Sequence, residues 1–202
     1  MNKTHIITQL RGTAHWINQK GWCPATGGNF SARLDENKFL ITASGRDKGQ
    51  LQETDFLVAT YQGQILGSEL KPSAELPVHC FLYAHLNAGA VLHTHSVNAT
   101  VFSRLIKKTV WPISGYEMQK AISGFHSHND TLQLANFPNK QNMDELVSAI
   151  SNYQQQHALP FGFLVQGHGI YAWGDDLFAA RRHLEGLEFL IECELKQLQF
   201  KP

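Results

Sequence analysis

The run Val91-Leu92-His93-Thr94-His95, with a third histidine far downstream in Gly167-His168-Gly169, constrains this chain more than any other feature. Strand side chains repeat every two residues, so an extended 91–95 segment turns both imidazoles to one face. Two imidazoles so placed can chelate one divalent ion. A third ring nitrogen from elsewhere completes a set of three protein ligands with an open position, the coordination of a catalytic rather than a structural zinc. One H-x-H also has a plainer reading, as two histidines on a polar strand face. The glycines around His168, which permit tight bends after an apolar strand, favour the metal. His126 and His128 form a competing H-x-H within Phe125-His126-Ser127-His128-Asn129-Asp130. That segment is polar and loop-like, which suits solvated or hydrogen-bonded histidines.

Apolar spacing places the rest of the chain around these motifs. Ile6, Ile7, Leu10, Ala14 and Ile17 have helical periodicity, ending near Gly21. Residues 30–34 and 38–42 read as strands about an Asp35-Glu36-Asn37 turn, and 56–61 with 64–66 as a hairpin turning at Gln62-Gly63. A helix is expected over 73–86, capped by Ser73 and carrying Pro77 in its first turn, where a missing N–H does little harm. A short strand, 90–94, enters the histidine pair. Helices follow at 98–106 and 144–156, then strands at 161–165 and 170–173 around the Gly-His-Gly turn. Asp175 or Asp176 can cap a long final helix whose stripe is Leu177, Leu184, Leu187, Ile191, Leu195 and Leu198. Hairpins mixed with separated helices predict an α/β or α+β domain, 1–202, with a central, mostly antiparallel β-sheet flanked by helices, the α/β class being the one expected.

Lys plus Arg equals Asp plus Glu, 17 of each, so the chain carries no electrostatic footprint for nucleic acid or an acidic membrane, and an anionic ligand must be bound locally. Three small-residue loops offer the means: Thr26-Gly27-Gly28-Asn29, Ala43-Ser44-Gly45 and Lys71-Pro72-Ser73-Ala74. Each presents backbone N–H and hydroxyl donors, and Ser73 at a helix start would add the dipole. None matches a P-loop or a dinucleotide fingerprint. Glu75 and Glu117 are the carboxylates in reach of a general acid/base role. The three cysteines, Cys23, Cys80 and Cys193, are widely spaced and form no C-x-x-C, which fits unreactive thiols in a reducing, cytoplasmic setting. No run approaches the ~20 apolar residues of a membrane span.

Taken in order, Thr26-Gly27-Gly28-Asn29-Phe30-Ser31, Ile41-Thr42-Ala43-Ser44-Gly45, Lys71-Pro72-Ser73-Ala74-Glu75, His93-Thr94-His95 and Gly167-His168-Gly169 resemble the class II aldolase family, zinc-dependent enzymes of sugar phosphates. Four further pieces resemble a dehydratase branch of that family: residues 44–49, Tyr116-Glu117-Met118-Gln119-Lys120, Tyr171-Ala172-Trp173-Gly174 and the run 180–190. The resemblance implies one Zn2+ held by His93, His95 and His168. It implies a phosphate pocket from Gly28, Asn29, Ser44, Gly45 and Ser73, with Glu117 as acid/base. Glu75 matches the catalytic glutamate of the aldolases and is expected in the substrate pocket or near the metal. Ala74 stands where aldolases carry a second serine. The resemblance also implies a homotetramer whose active sites can take residues from a neighbour. The expected activity is dehydration of a ketose phosphate, with retro-aldol cleavage as the alternative. A non-catalytic interaction protein would not require these ligands, donors and acids together.

Overall fold

The computed structural model describes residues 2–200. Among them the strands are β1 (Asn29–Arg33), β2 (Lys38–Thr42), β3 (Phe56–Thr60), β4 (Ile65–Leu66), β5 (Ala90–Thr94), β6 (Val110–Ile113), β7 (Leu132–Phe137), β8 (Gly162–Val165) and β9 (Gly169–Gly174). The helices are α1 (Lys3–Gln19), α2 (Leu76–Leu86), α3 (Val97–Leu105), α4 (Met143–Gln154) and α5 (Leu177–Phe200). The strands form one sheet in the order β4-β3-β2-β1-β5-β9-β8-β7-β6. Every pairing is antiparallel except β7 with β8. The α/β class and the mostly antiparallel sheet expected from the sequence are therefore observed.

Both faces of this sheet are covered, so its central strands are apolar on both sides rather than alternating with polar residues. Ala90 and Leu92 of β5, Leu164 of β8 and Ile170 and Ala172 of β9 pack on the side of α1, α3 and α5. Val91, Phe163, Val165, Tyr171 and Trp173 point the other way, into the layer of α2 and α4. His93 shares the face of Val91, by the two-residue repeat of the strand. It thus looks toward the start of α2.

Two strands were not legible in the sequence. β6 is a sheet edge carrying Pro112, which a central strand would not tolerate. β7 owes its place to the long-range parallel pairing with β8. The start of α2 also differs from the expected 73. The helix begins at Leu76, Glu75 takes the cap position, and the Ser73 hydroxyl accepts the Glu75 backbone N–H at 3.2 Å instead of capping a helix. Ser73 is thereby held in a turn ahead of α2, which leaves it out of the helix's own hydrogen bonding. Among the described residues no helix is long and apolar enough to cross a membrane, and Cys23, Cys80 and Cys193 are all free.

One buried carboxylate ties the last helix to the histidine strand. Glu188 of α5 accepts from Ser96 Oγ at 2.7 Å and from Thr94 Oγ1 at 3.4 Å. Ser96 in turn caps α3 by accepting the Ala99 N–H at 3.0 Å. Burial pushes the Glu188 carboxyl up to about 7 from 4.5, against the pull of the two hydroxyls. A carboxyl raised in the folded state favours folding while it is protonated, and that stability is lost as pH rises through the folded value. Between pH 4.5 and about 7 this site should cost the protein about 3 kcal/mol that Glu188→Gln does not lose. Thermal melts of both proteins across that range, compared as the difference in Tm, check it: parallel curves would show that Glu188 does not titrate there.

Candidate metal centre

β5 pairs antiparallel with β9 in a register that sets His93 opposite Tyr171 and Thr94 opposite Ile170. His93 is fully buried. Its Nδ1 lies 2.9 Å from the Ile170 carbonyl, an acceptor only, so Nδ1 carries a proton and Nε2 is the nitrogen turned toward the other rings. The Tyr171 ring stacks on His93 with centroids 4.0 Å apart. His95 leaves the strand end with its backbone N–H donated to the Trp22 carbonyl at 2.8 Å. His168 tops the β8–β9 turn. There α3 fastens the backbone: Ser103 Oγ accepts the Gly167 N–H at 2.9 Å and Thr100 Oγ1 donates to the His168 carbonyl at 3.1 Å.

The three rings converge. His95 Nε2 lies 2.9 Å and His168 Nε2 3.3 Å from His93 Nε2. Glu75 Oε1 reaches His168 Nε2 at 2.9 Å and His93 Nε2 at 3.3 Å. One ligand atom from each of Glu75, His93, His95 and His168 falls within 4.8 Å of the others. Lone pairs facing one another at such distances repel unless positive charge lies among them. Burial, reinforced by His93 and His168, pushes His95 down to about 3, so a proton there is disfavoured. Burial also opposes ionising Glu75, yet His93 and His168 outweigh it and hold the carboxyl well below the usual range. Glu75 Oε1 nevertheless has no hydrogen-bond donor. Three imidazoles and a carboxylate oxygen left without a donor suit a divalent cation.

Glycines let the loops reach this group. Gly28 has φ +78°, and a Cβ there would meet the His93 carbonyl oxygen at 2.5 Å. A Cβ on Gly169 would lie 2.0 Å from the Thr94 carbonyl oxygen. Next to Gly28, Asn29 donates from Nδ2 to Ser73 Oγ at 3.2 Å and to Glu75 Oε2. The Ser44–Gly45 loop joins the same wall through the bridge of Ala43 to Pro72 and the Ser44 N–H to the Lys71 carbonyl, 2.9 Å. Gly28, Asn29, Ser73 and Glu75 therefore border the histidines, and the Ser44–Gly45 turn follows Ala43, which is bridged to Pro72.

Glu117 stands apart from this group. It starts a 3₁₀ turn, Glu117–Ala121, is exposed, and is bound to Lys120 Nζ at 2.5 Å and His128 Nδ1 at 3.0 Å. Lys120, first, and then His128 hold its carboxyl below the usual range despite a slight desolvation. His126 is exposed on the same surface.

Sequence reasoning passed over three features of the site. Tyr171 belongs to a strand and to the piece Tyr171–Gly174 that carries the dehydratase likeness, but its stacking on His93 has no sequence signal. Lys48, 2% exposed, donates to the Thr26 and Arg46 carbonyls at 2.9 and 2.8 Å and so staples two of the three loops together. His79 lies behind Asn29; its spacing of four residues from Glu75 was the available signal, since such pairs share a helix face.

This fold and donor set define a class of protein. The chain belongs to the family described as the class II aldolase and adducin N-terminal domain, which it matches over residues 8–195. Methylthioribulose-1-phosphate dehydratase of Pectobacterium carotovorum is 48% identical over 198 residues, covering 98% of this chain and 97% of that protein. The Klebsiella pneumoniae protein of the same name is 49% identical over 197 residues, 97% of this chain and 98% of that one. Among solved structures, L-fuculose-1-phosphate aldolase of Thermus thermophilus superposes with a TM-score of 0.78 at 23% identity, covering 100% of both chains. A sugar-phosphate aldolase of Thermotoga maritima gives 0.74 at 20% identity, over 98% of this chain and 97% of that one. The two structures share the fold.

The close approach at Gly169 yields a sharp expectation. Gly169→Ala must push β9 off the Thr94 carbonyl, between two of the converging rings. Metal bound per subunit, measured by elemental analysis after dialysis, should fall well below that of the parent while the protein still melts cooperatively. Full occupancy would show that the β5–β9 spacing does not govern the ligands.

Proposed function

We propose that this chain is a zinc-dependent hydro-lyase that converts 5-methylthioribulose 1-phosphate to 2,3-diketo-5-methylthiopentyl 1-phosphate and water, a step of methionine salvage. The observation that carries this reading is the near-half identity, over almost the entire chain, with relatives bearing the dehydratase name. The convergent His93, His95 and His168 with Glu75 support it. These residues would hold the ion, with zinc favoured by three imidazoles. When bound, the ion supplies Lewis acidity that stabilises negative charge building on the substrate's C2 and C3 oxygens.

The residues of the chain supply the rest. The phosphate is read as lying against Gly28, Asn29, Ser44, Gly45 and Ser73. Ser73 Oγ already accepts from Asn29 Nδ2 and the Glu75 N–H, so both its lone pairs are used and its own O–H is left to donate to a ligand. Anchoring the phosphate fixes C3 toward the acid/base. A carboxylate takes the proton from C3. The electron pair moves into the C2–C3 bond and then expels the C4 hydroxyl, which leaves as water with a returned proton. The enol that remains tautomerises to the 2,3-diketone, so the carbon skeleton stays whole.

Glu117 is the proposed acid/base, supplied by a neighbouring copy in a homotetramer. Two features support a shared site. Val97, Val101 and Leu105 are exposed on one face of α3, starting two residues beyond His95, and Met118 beside Glu117 is exposed as well. Apolar side chains so placed suit contacts between copies. Glu75, within the metal group of the same chain, lies in the substrate pocket. The proposed compartment is the cytoplasm, which suits the three free thiols.

Two measurements test this. Incubated with 5-methylthioribulose 1-phosphate, the zinc-loaded protein should release the diketone; a dihydroxyacetone-phosphate fragment would instead identify an aldolase. Glu117→Gln should keep zinc and lose about a hundredfold or more of turnover. Mixed oligomers of Glu117→Gln and His95→Ala subunits should regain activity, because some sites then combine an intact metal centre with an intact glutamate. Mixtures as inactive as either parent variant would place Glu117 and the ligands of one site on the same chain.

A further inference from the structure

Behind the site runs a buried line of three polar side chains, Tyr83, Ser31 and His79, that the reaction above does not use. Tyr83 OH lies 2.8 Å from Ser31 Oγ, and Ser31 Oγ lies 2.7 Å from His79 Nδ1. His79 Nε2 meets Asn29 Oδ1, and Asn29 Nδ2 meets Glu75 Oε2. Ser31 and His79 are wholly buried and Tyr83 is 2% exposed, so water has no access to the three groups behind Asn29. We propose that His79 is a positioning residue, held as the Nε2–H tautomer by Ser31 and Tyr83, that locks the Asn29 amide with its NH2 group toward Glu75 and Ser73.

The direction of every bond follows from the set of the Asn29 amide. Its Nδ2, a donor only, faces both Ser73 Oγ and Glu75 Oε2. The amide oxygen then faces His79 Nε2, which must carry the hydrogen. His79 Nδ1 is consequently bare and accepts from the Ser31 hydroxyl, and Ser31 accepts from Tyr83. A doubly protonated ring would leave Ser31 with no acceptor there; burial keeps His79 neutral.

The arrangement matters because an amide has two faces of similar shape and opposite polarity. Turned over, Asn29 would set its oxygen against the Glu75 carboxylate. It would also accept the Ser73 hydroxyl, which would then be lost to a ligand. A buried imidazole of the other tautomer would favour that inverted state. The line therefore decides whether Glu75 and Ser73 meet the substrate as an oriented carboxylate and a free donor. Its effect on turnover rests on the dehydratase reading above; the tautomer does not.

The tautomer is read directly by 15N NMR of the zinc-loaded protein labelled at histidine, with His79→Gln used to assign the signal and no substrate present. A bare Nδ1 and a protonated Nε2 are expected, and a protonated Nδ1 overturns the proposal whatever the enzyme does. For the effect on turnover, His79→Gln retains an N–H toward Asn29 and should keep kcat/KM near the parent's. His79→Leu should lower it about ten- to hundredfold, the usual cost of removing such supporting hydrogen bonds, with zinc content unchanged. Parent-like kcat/KM in His79→Leu overturns the positioning role, as does an equal loss in both variants. If His79→Leu does not fold, Ser31→Ala takes its place. It should shift His79 toward the other tautomer and lower kcat/KM, and an unshifted tautomer with parent-like activity is the overturning result.

Discussion

The pairing of β5 with β9 is the constraint on which the site depends. Its register places the Ile170 carbonyl under His93 Nδ1, which fixes that ring's proton away from the metal group. It also sets Tyr171 flat against the same ring. The two strands approach so closely at Thr94 and Gly169 that only a residue without a Cβ fits. His168, one residue earlier, is thereby delivered beside His93 and His95. A slip of one residue would turn His93 to the opposite face of the sheet, away from α2.

Electrostatics at the site are local, as the balanced charge of the chain requires. Glu75 is held in a buried position facing the imidazoles, and its second oxygen is met by Asn29. Burying a carboxylate is costly unless it is paired and hydrogen-bonded. Here the pairing is to groups that a cation would share. The helix dipole contributes less than the residue order suggested, since Ser73 lies in a turn ahead of α2 rather than at its cap.

Much of this was legible along the chain. The H-x-H strand, the Gly-His-Gly turn, the three loops and most element boundaries rest on local rules: the two-residue repeat, helical spacing, glycine at bends. β6 and β7 were not legible, because Pro112 argues against a strand unless it is known to lie at an edge, and β7 pairs with a partner far off in sequence. Glu117 marks the same limit from the other side. Its sequence surroundings carry the dehydratase likeness, yet within one chain its carboxylate is engaged by Lys120 and His128 at the surface.

The sequence by itself determined the donor types gathered at the site, the face on which His93 lies and the α/β class, because each follows from chemistry and periodicity within a short window. Only the tertiary structure decided that Glu75 joins the three histidines, that His79 backs Asn29, and that Glu188 anchors the strand end. These contacts join residues 46, 50 and 92 or more positions apart, as in Asn29 to Glu75, Asn29 to His79 and Ser96 to Glu188. No local pattern encodes such distances: they are set by which sheet face each helix covers and by where the apolar layers bring the chain together.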